Sequence, residues 1–186
     1  MALVVGLRNP GSEYRGTRHN LGGEVVTEVA TRDGVGLKRA PRRIRAEVGA
    51  LGDDLLVLPT TFMNDTGRAL AGLLGYFHQP AAEMLVVHDD IDLAFGRLRL
   101  QNGGGSGGHN GVRSLVQSVG GEFARLKLGV GRPQGDRDPA DYVLTRFTKA
   151  ERTEVDLMVE DAIEVVRMWL QDRARAAELA AHRRFA

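Results

Sequence analysis

The chain contains no cysteine. That excludes a disulfide framework, a thiol nucleophile and a thiolate-ligated zinc centre. It contains four serines, Ser12, Ser106, Ser114 and Ser118, and none stands in a Gly-x-Ser-x-Gly elbow, so the sequence offers no serine nucleophile. No apolar run approaches the roughly 20 residues needed to cross a bilayer. The N-terminus leads directly into Leu3-Val4-Val5, without the basic, apolar and small-residue regions of a secretory signal. These absences lead us to expect a cytoplasmic protein with no membrane anchor. Lysine is scarce as well: Lys38, Lys127 and Lys149 are the three among 25 basic residues. Positive charge is therefore mostly guanidinium, which suits bidentate contacts to phosphate, although a bias toward arginine codons would look the same.

At 186 residues and 42% hydrophobic content, the chain is expected to be one domain, residues 1–186, with a substantial core. Its net charge of +1 conceals an uneven distribution. Lys38, Arg39, Arg42, Arg43 and Arg45 form one basic cluster, and Arg97, Arg99, Arg125, Lys127 and Arg132 recur along strand-like segments. Glu151, Glu154, Asp156, Glu160, Asp161 and Glu164 offset them on a late helix. A nearly neutral protein can thus present a basic face.

Strand patterns cover Leu3–Leu7, Arg43–Leu51, Leu55–Pro59, Met84–His88, Arg97–Gln101 and Arg125–Val130. Helical patterns cover Leu21–Arg32, Asp65–His78, Val112–Val119 and Ala150–Gln171. In the last, Val155, Met158, Val159, Ala162, Ile163, Val166 and Trp169 recur at helical spacing. Gly52-Asp53-Asp54 reads as a hairpin turn. Strand–helix units combined with a hairpin predict an α/β fold whose mixed sheet is parallel at its centre and covered on both faces. Gly131–Ala140 reads as loose, and the basic tail 173–186, short of large apolar residues, is expected to fray.

Three of the five asparagines stand where strand patterns or the glycine run stop: Asn9, Asn64 and Asn110. In an α/β sheet those ends bound the ligand crevice. Gly6-Leu7-Arg8-Asn9-Pro10-Gly11 fails as a dinucleotide fingerprint and as a P-loop, leaving a Pro-Gly turn. Asn20 is placed to cap the helix after Arg18-His19. His88-Asp89-Asp90-Ile91-Asp92 allows two readings: a metal site, or a carboxylate orienting a catalytic histidine elsewhere. Metal sites call for three or four convergent ligands, and no second Asp/His cluster is evident in the sequence, which favours the orienting role. With no protein nucleophile in view, water activated by a general base becomes the expected nucleophile, His19 being a candidate base. Asn64 and Asn110 can donate to a carbonyl or oxyanion, or instead cap the helices that follow. Gly103–Gly111 permits close approach of a bulky ligand, as a gate or simply a flexible loop.

Taken in order, several stretches resemble the bacterial peptidyl-tRNA hydrolase family. They are Gly6-Leu7-Arg8-Asn9-Pro10-Gly11-Ser12-Glu13-Tyr14, Thr17-Arg18-His19-Asn20, Pro59-Thr60-Thr61-Phe62-Met63-Asn64, His88-Asp89-Asp90-Ile91-Asp92 and Gly103–Gly111. Gly129-Val130-Gly131-Arg132-Pro133 and Tyr142-Val143-Leu144 extend the resemblance over nearly the whole chain. It implies a single-domain three-layer α/β/α fold and hydrolysis of the ester between a peptide and tRNA, without cofactor or metal. It assigns His19 as general base, Asp89 as its orienting acid and Asn9 as the reader of the peptide amide. Asn64 and Asn110 would hold the substrate end, Tyr14 and Phe62 would line the site, and Arg99 and Lys127 would meet tRNA phosphates. Gln101 stands near a position where a further basic residue is expected, so the phosphate clamp departs from the family pattern. The implied partners are peptidyl-tRNA, its acceptor end and ribosomal subunits, with the protein a monomer. A member of the same fold that has lost catalysis and binds RNA as a splicing partner is the alternative. Retention of His19, Asp89 and the three asparagines counts against it.

Overall fold

A computed structural model describes residues 1–182. Its frame is a seven-stranded sheet in the order β2-β3-β4-β1-β5-β7-β6, comprising β1 Leu3–Gly6, β2 Lys38–Arg39, β3 Ala46–Leu51, β4 Asp54–Pro59, β5 Met84–Asp90, β6 Leu98–Asn102 and β7 Ala124–Gly129. The centre β4-β1-β5-β7 is parallel, and antiparallel pairs close both sides. The expected hairpin joins β3 to β4, with Leu51 opposite Asp54.

The apolar central strands are the consequence of cover on both faces. Along β1, Val4 packs into one cluster with Val25, Val29, Val155, Ile163 and Trp169. Leu3 and Val5 enter the other, with Leu70, Leu73, Val112 and Leu115. This alternation is the period of a strand. The first cluster is supplied by α1 Leu21–Arg32, α5 Lys149–Gln171 and α6 Arg173–His182, the second by α2 Thr66–Phe77 and α3 Asn110–Val119. The result is the three-layer α/β/α arrangement. Thr148 opens α5 with a reciprocal capping box to Glu151, which satisfies two otherwise orphaned backbone donors.

Several boundaries differ from the sequence patterns. The strand expected from Arg43 begins at Ala46, because Arg42 and Arg43 adopt φ of 53° and 59°, a left-handed conformation no strand contains. A short helix, α4 Pro139–Val143, forms at the end of the stretch read as loose, capped by Asp138. The segment expected to fray is helical as far as His182, with Ala176 and Ala180 buried. Small residues there allow close packing where large ones are absent. Residues 183–186 of that expectation lie outside the described residues.

One glycine is decisive for the site. A Cβ on Gly22 would lie 2.0 Å from the Val87 carbonyl oxygen, so only glycine lets the first turn of α1 abut β5. That contact delivers the turn before α1, with His19, to the ends of β1 and β5. The hydrogen bonds from Gly23 N–H to the Leu7 carbonyl and from Leu7 N–H to the Val87 carbonyl, both 3.0 Å, fix the approach.

Candidate functional site

His19 lies in a 3-10 turn, Arg18–Asn20, and Asp89 near the end of β5. Both are buried, at 7% and 2% exposure. His19 Nδ1 faces Asp89 Oδ1 at 3.0 Å and Oδ2 at 3.1 Å. A carboxylate accepts, so Nδ1 carries the proton and Nε2 keeps its lone pair. Burial pushes the His19 pKa down, but the charge and hydrogen bond of Asp89 outweigh it, and the net shift is upward from 6.5. Burial alone would raise the Asp89 pKa, but the two histidines facing it hold it well below the usual carboxylate range.

The second histidine is His109, the N-cap of α3. Its Nδ1 accepts from Gly111 N–H at 3.1 Å and Val112 N–H at 3.3 Å. An Nδ1 engaged as acceptor leaves the proton on Nε2, which donates to Asp89 Oδ1 at 2.9 Å. The His19 and His109 rings stand 4.6 Å apart. One carboxylate therefore binds two imidazoles from opposite layers. Sequence reasoning gave His109 no role; its position immediately before a helix was the available signal. Asn110, weighed as a cap, is exposed and free of that duty.

His88 is fully enclosed behind the pair. Its Nδ1 donates to the Asp89 carbonyl at 2.7 Å, and burial, then the neighbouring His109, push its pKa down to about 3. The ligand atoms of His19, Asp89 and His109 lie within 4.8 Å of one another, so among the described residues this trio, rather than His88–Asp92, is the cluster with metal-ligand spacing. Each of the facing atoms is already engaged in a hydrogen bond, and a cation would have to displace both imidazole protons there.

Asn9 follows β1 and is 7% exposed. Its Oδ1 accepts from Met63 N–H at 2.8 Å, which ties it to the Phe62-Met63-Asn64 segment. The side chain of Asn20 grips the Asn9 backbone from both sides, at 2.8 Å and 3.0 Å. Asn20 thus locks Asn9 to the His19 turn instead of capping α1 through its side chain. The Asn9 Nδ2 has no partner among the described residues, and a donor is what it offers a ligand. Asn64 and Phe62 are exposed, and the Phe62 ring meets that of half-buried Tyr14 edge-on at 6.2 Å.

His19, Asp89 and Asn110 line a cleft of about 400 Å³, walled opposite by Asp138, Ala140 and Val143. Asn9 opens onto a separate groove of about 760 Å³ beside Pro10, Arg15 and Arg152. Arg18 holds the cleft wall to the His19 turn. It donates to the Thr145 Oγ1 at 3.0 Å, the Arg146 carbonyl at 2.8 Å and Glu151 at 2.5 Å. Its guanidinium lies over the rings of Tyr142 and Phe147, at 4.4 and 4.7 Å.

The basic strands are only partly a surface feature. Arg99 pairs in register with Lys127; Arg99 is exposed, while half-buried Lys127 contacts Asp90 at 3.1 Å. Both sit on the β6–β7 flank, outside the cleft lining. Arg125, expected on the same basic face, is 1% exposed. It hydrogen-bonds the carbonyls of Gly104 and Gly105, and Gln101 donates to that of Gly103 at 3.1 Å. The first half of the glycine run is thereby held down from the sheet.

A buried carboxylate that fixes one imidazole tautomer, leaving the other nitrogen unprotonated beside an open cleft, is the arrangement of enzymes that use a general base. The chain belongs to the peptidyl-tRNA hydrolase family, whose model matches residues 3–185. A peptidyl-tRNA hydrolase of Mycobacterium tuberculosis (strain H37Rv) is 44% identical over 97% of this chain and 96% of its own length. One of Kineococcus radiotolerans is 45% identical over 88% of each. The crystal structure of peptidyl-tRNA hydrolase from Acinetobacter baumannii superposes with a TM-score of 0.91 at 33% identity, covering 98% of this chain and 95% of that one. A peptidyl-tRNA hydrolase complexed with N-propanol gives 0.93 at 32% identity, over 100% and 97%.

Proposed function

We propose that the chain hydrolyses the ester joining a peptide to the 3′ end of tRNA, by a water that His19 activates without a metal. The observation that carries this reading is the His19 Nδ1–Asp89 contact at 3.0 Å beside an open cleft, in a chain of this family. Nε2 takes a proton as the water oxygen attacks the ester carbonyl; the acyl–oxygen bond then breaks and the proton passes to the departing 3′ oxygen. Asn64 and Asn110, with exposed amides, donate to the substrate carbonyl as it gains negative charge. Tyr14 and Phe62 offer ring faces to the terminal nucleotide or the first residue of the peptide. Arg99 and Lys127 meet phosphates of the acceptor end. We place this activity in the cytoplasm, with the protein working as a monomer on peptidyl-tRNA.

Asn9 supplies the choice of substrate. Its Oδ1 is committed to Met63 N–H, so it reads the substrate through Nδ2–H, by donating to a peptide carbonyl. A free α-amino group is largely charged near neutral pH, and setting it against a neutral amide donor without a carboxylate is unfavourable. The test is release of the acyl group from N-acyl-aminoacyl-tRNA, with the matching aminoacyl-tRNA as control. Wild type should cleave the first far faster, and His19→Ala should lose about 10²–10⁴-fold in turnover while still binding tRNA. Near-normal turnover in that variant would refute the assignment of the base.

A further inference from the structure

The cluster Arg42, Arg43 and Arg45 has no part in the chemistry above. These residues lie between β2 and β3. Thr60 N–H donates to the Arg45 carbonyl at 2.9 Å, and Ala46 pairs with Pro59. The segment therefore sits beyond the C-terminal end of β4, the same end of the sheet at which β1 leads to Asn9 and β5 carries Asp89. There it closes a pocket of about 240 Å³ with Thr61, Asp65 and Arg68.

Three features of this pocket point to an anion. It is lined by four arginines, all exposed, and by one carboxylate, Asp65, which approaches Arg45 at 3.7 Å; Arg42 lies over the Tyr76 ring at 5.3 Å, and Arg43 and Arg68 have no carboxylate partner among the described residues. Solvent and salt screen the repulsion among these exposed charges, and a bound anion lowers it further. Thr61 is 1% exposed, and its hydroxyl oxygen has no hydrogen-bond partner among the described residues, which leaves a buried polar group available to a ligand. Finally, Arg42 and Arg43 hold consecutive left-handed backbone conformations, which non-glycine residues adopt at a cost.

Strand order separates this pocket from the Arg99–Lys127 flank. β3 and β4 lie on one side of the central β1–β5 pair, and β7 and β6 on the other. At about 4.8 Å per strand, β4, beyond whose end the pocket lies, stands roughly 14 Å from β7 and roughly 19 Å from β6, with the site between them. We propose that Arg42, Arg43, Arg45 and Arg68, over Thr61, form a second phosphate-binding site that takes a backbone phosphate of the tRNA on the flank opposite Arg99 and Lys127. The proposal rests on the peptidyl-tRNA reading for its ligand. Arginine suits it because the planar fork matches phosphate oxygens in pairs.

The test is the triple variant Arg42→Gln/Arg43→Gln/Arg68→Gln. Binding of uncharged tRNA is followed across a salt titration, and turnover is measured on N-acetyl-aminoacyl-tRNA and on the same ester carried by a terminal trinucleotide. The expected result is a KM for the full tRNA raised roughly 10-fold with kcat kept, and a salt dependence of log K shallower by about 1 for each phosphate no longer held. Turnover of the trinucleotide ester should match wild type, and lysine in place of glutamine at the three positions should recover much of the salt slope. An unchanged tRNA affinity and slope would overturn the site. So would an equal loss on both esters, since the cluster would then act by supporting Phe62 and Asn64. Wild type that binds tRNA but cleaves neither ester would instead overturn the proposed function, leaving the salt titration to judge the phosphate site by itself.

Discussion

His109 does two jobs that one substitution can separate. It caps α3 through Nδ1 and donates to Asp89 through Nε2–H. His109→Asn keeps an acceptor suited to the cap and removes the donor to Asp89, whereas His109→Ala removes both. A hydrogen bond to a charged group contributes about 1.5–3 kcal/mol, and Asp89 is 2% exposed, so solvent cannot replace the missing donor cheaply. His109→Asn should therefore cost about 1.5–3 kcal/mol in urea unfolding, and His109→Ala about 1 kcal/mol more for the lost cap. The effect on the base has a definite sign. With one donor fewer, the Asp89 carboxylate is more basic and favours the His19 imidazolium more strongly. The His19 pKa, already raised above 6.5 by that carboxylate against the opposing effect of burial, should rise further. The reaction needs His19 neutral, so the acid limb of kcat/KM should move to higher pH in both variants. Asp89→Asn removes the cause of the upward shift and should move the same limb to lower pH. Equal stability losses in the Asn and Ala variants would refute the cap. An acid limb that stays put in both would refute the shared carboxylate.

Two further outcomes are expected. Turnover should survive exhaustive chelation, because the facing atoms of His19, Asp89 and His109 are satisfied by hydrogen bonds; loss of activity restored by Zn²⁺ would convert the trio into a ligand set. Stability should fall on acidification through His88, whose pKa is about 3 in the folded protein against an ordinary 6.5. Between those values the unfolded chain binds a proton that the folded one does not, so stability is complete above 6.5 and declines toward pH 3 by up to about 1.4 kcal/mol per pH unit. His88→Leu should flatten the dependence of unfolding free energy on pH in that window, and an unaltered slope would show that His88 is not its source.

The central strands and the long helix were legible because a single physical demand, burial, shaped their sequence. Val4, Val57 and Val86 have no polar alternative at 0% exposure, and Val155 to Trp169 recur at the period of a helix on one face. Where two demands compete, the sequence is ambiguous. The strand pattern starts at Arg43, yet the backbone of Arg42 and Arg43 turns left-handed, which side-chain pattern does not encode. Arg125 looks like a surface cation of an alternating strand, but the glycine carbonyls that accept from it come from 20 and 21 residues away. α6 was missed because alanine leaves little apolar signal, although Ala176 and Ala180 are buried. At the site, His19, Asp89 and Asn9 were visible as polar residues at strand ends and turns. Asn20 was read as a helix cap and His109 was given no role, since each acts by orienting a partner that it meets only in the fold.

Those two residues show why the site needs a rigid frame rather than a catalytic pair alone. A carboxylate and an imidazole in contact still leave the carboxylate free to turn and the imidazole free to choose a tautomer. The amides at the start of α3 determine which nitrogen of His109 bears the proton; that proton commits Asp89 Oδ1; and the oriented carboxylate fixes His19 Nδ1–H, leaving Nε2 as the acceptor. The chain of constraints begins at a helix N-terminus, where backbone donors are fixed by the fold and cannot titrate. On the other side, the Gly22 contact with β5 and the Asn20 grip on the Asn9 backbone set where the His19 turn can lie. A base position determined from both layers of the fold removes reorganisation from the reacting step, which is the physical meaning of preorganisation in a general-base site.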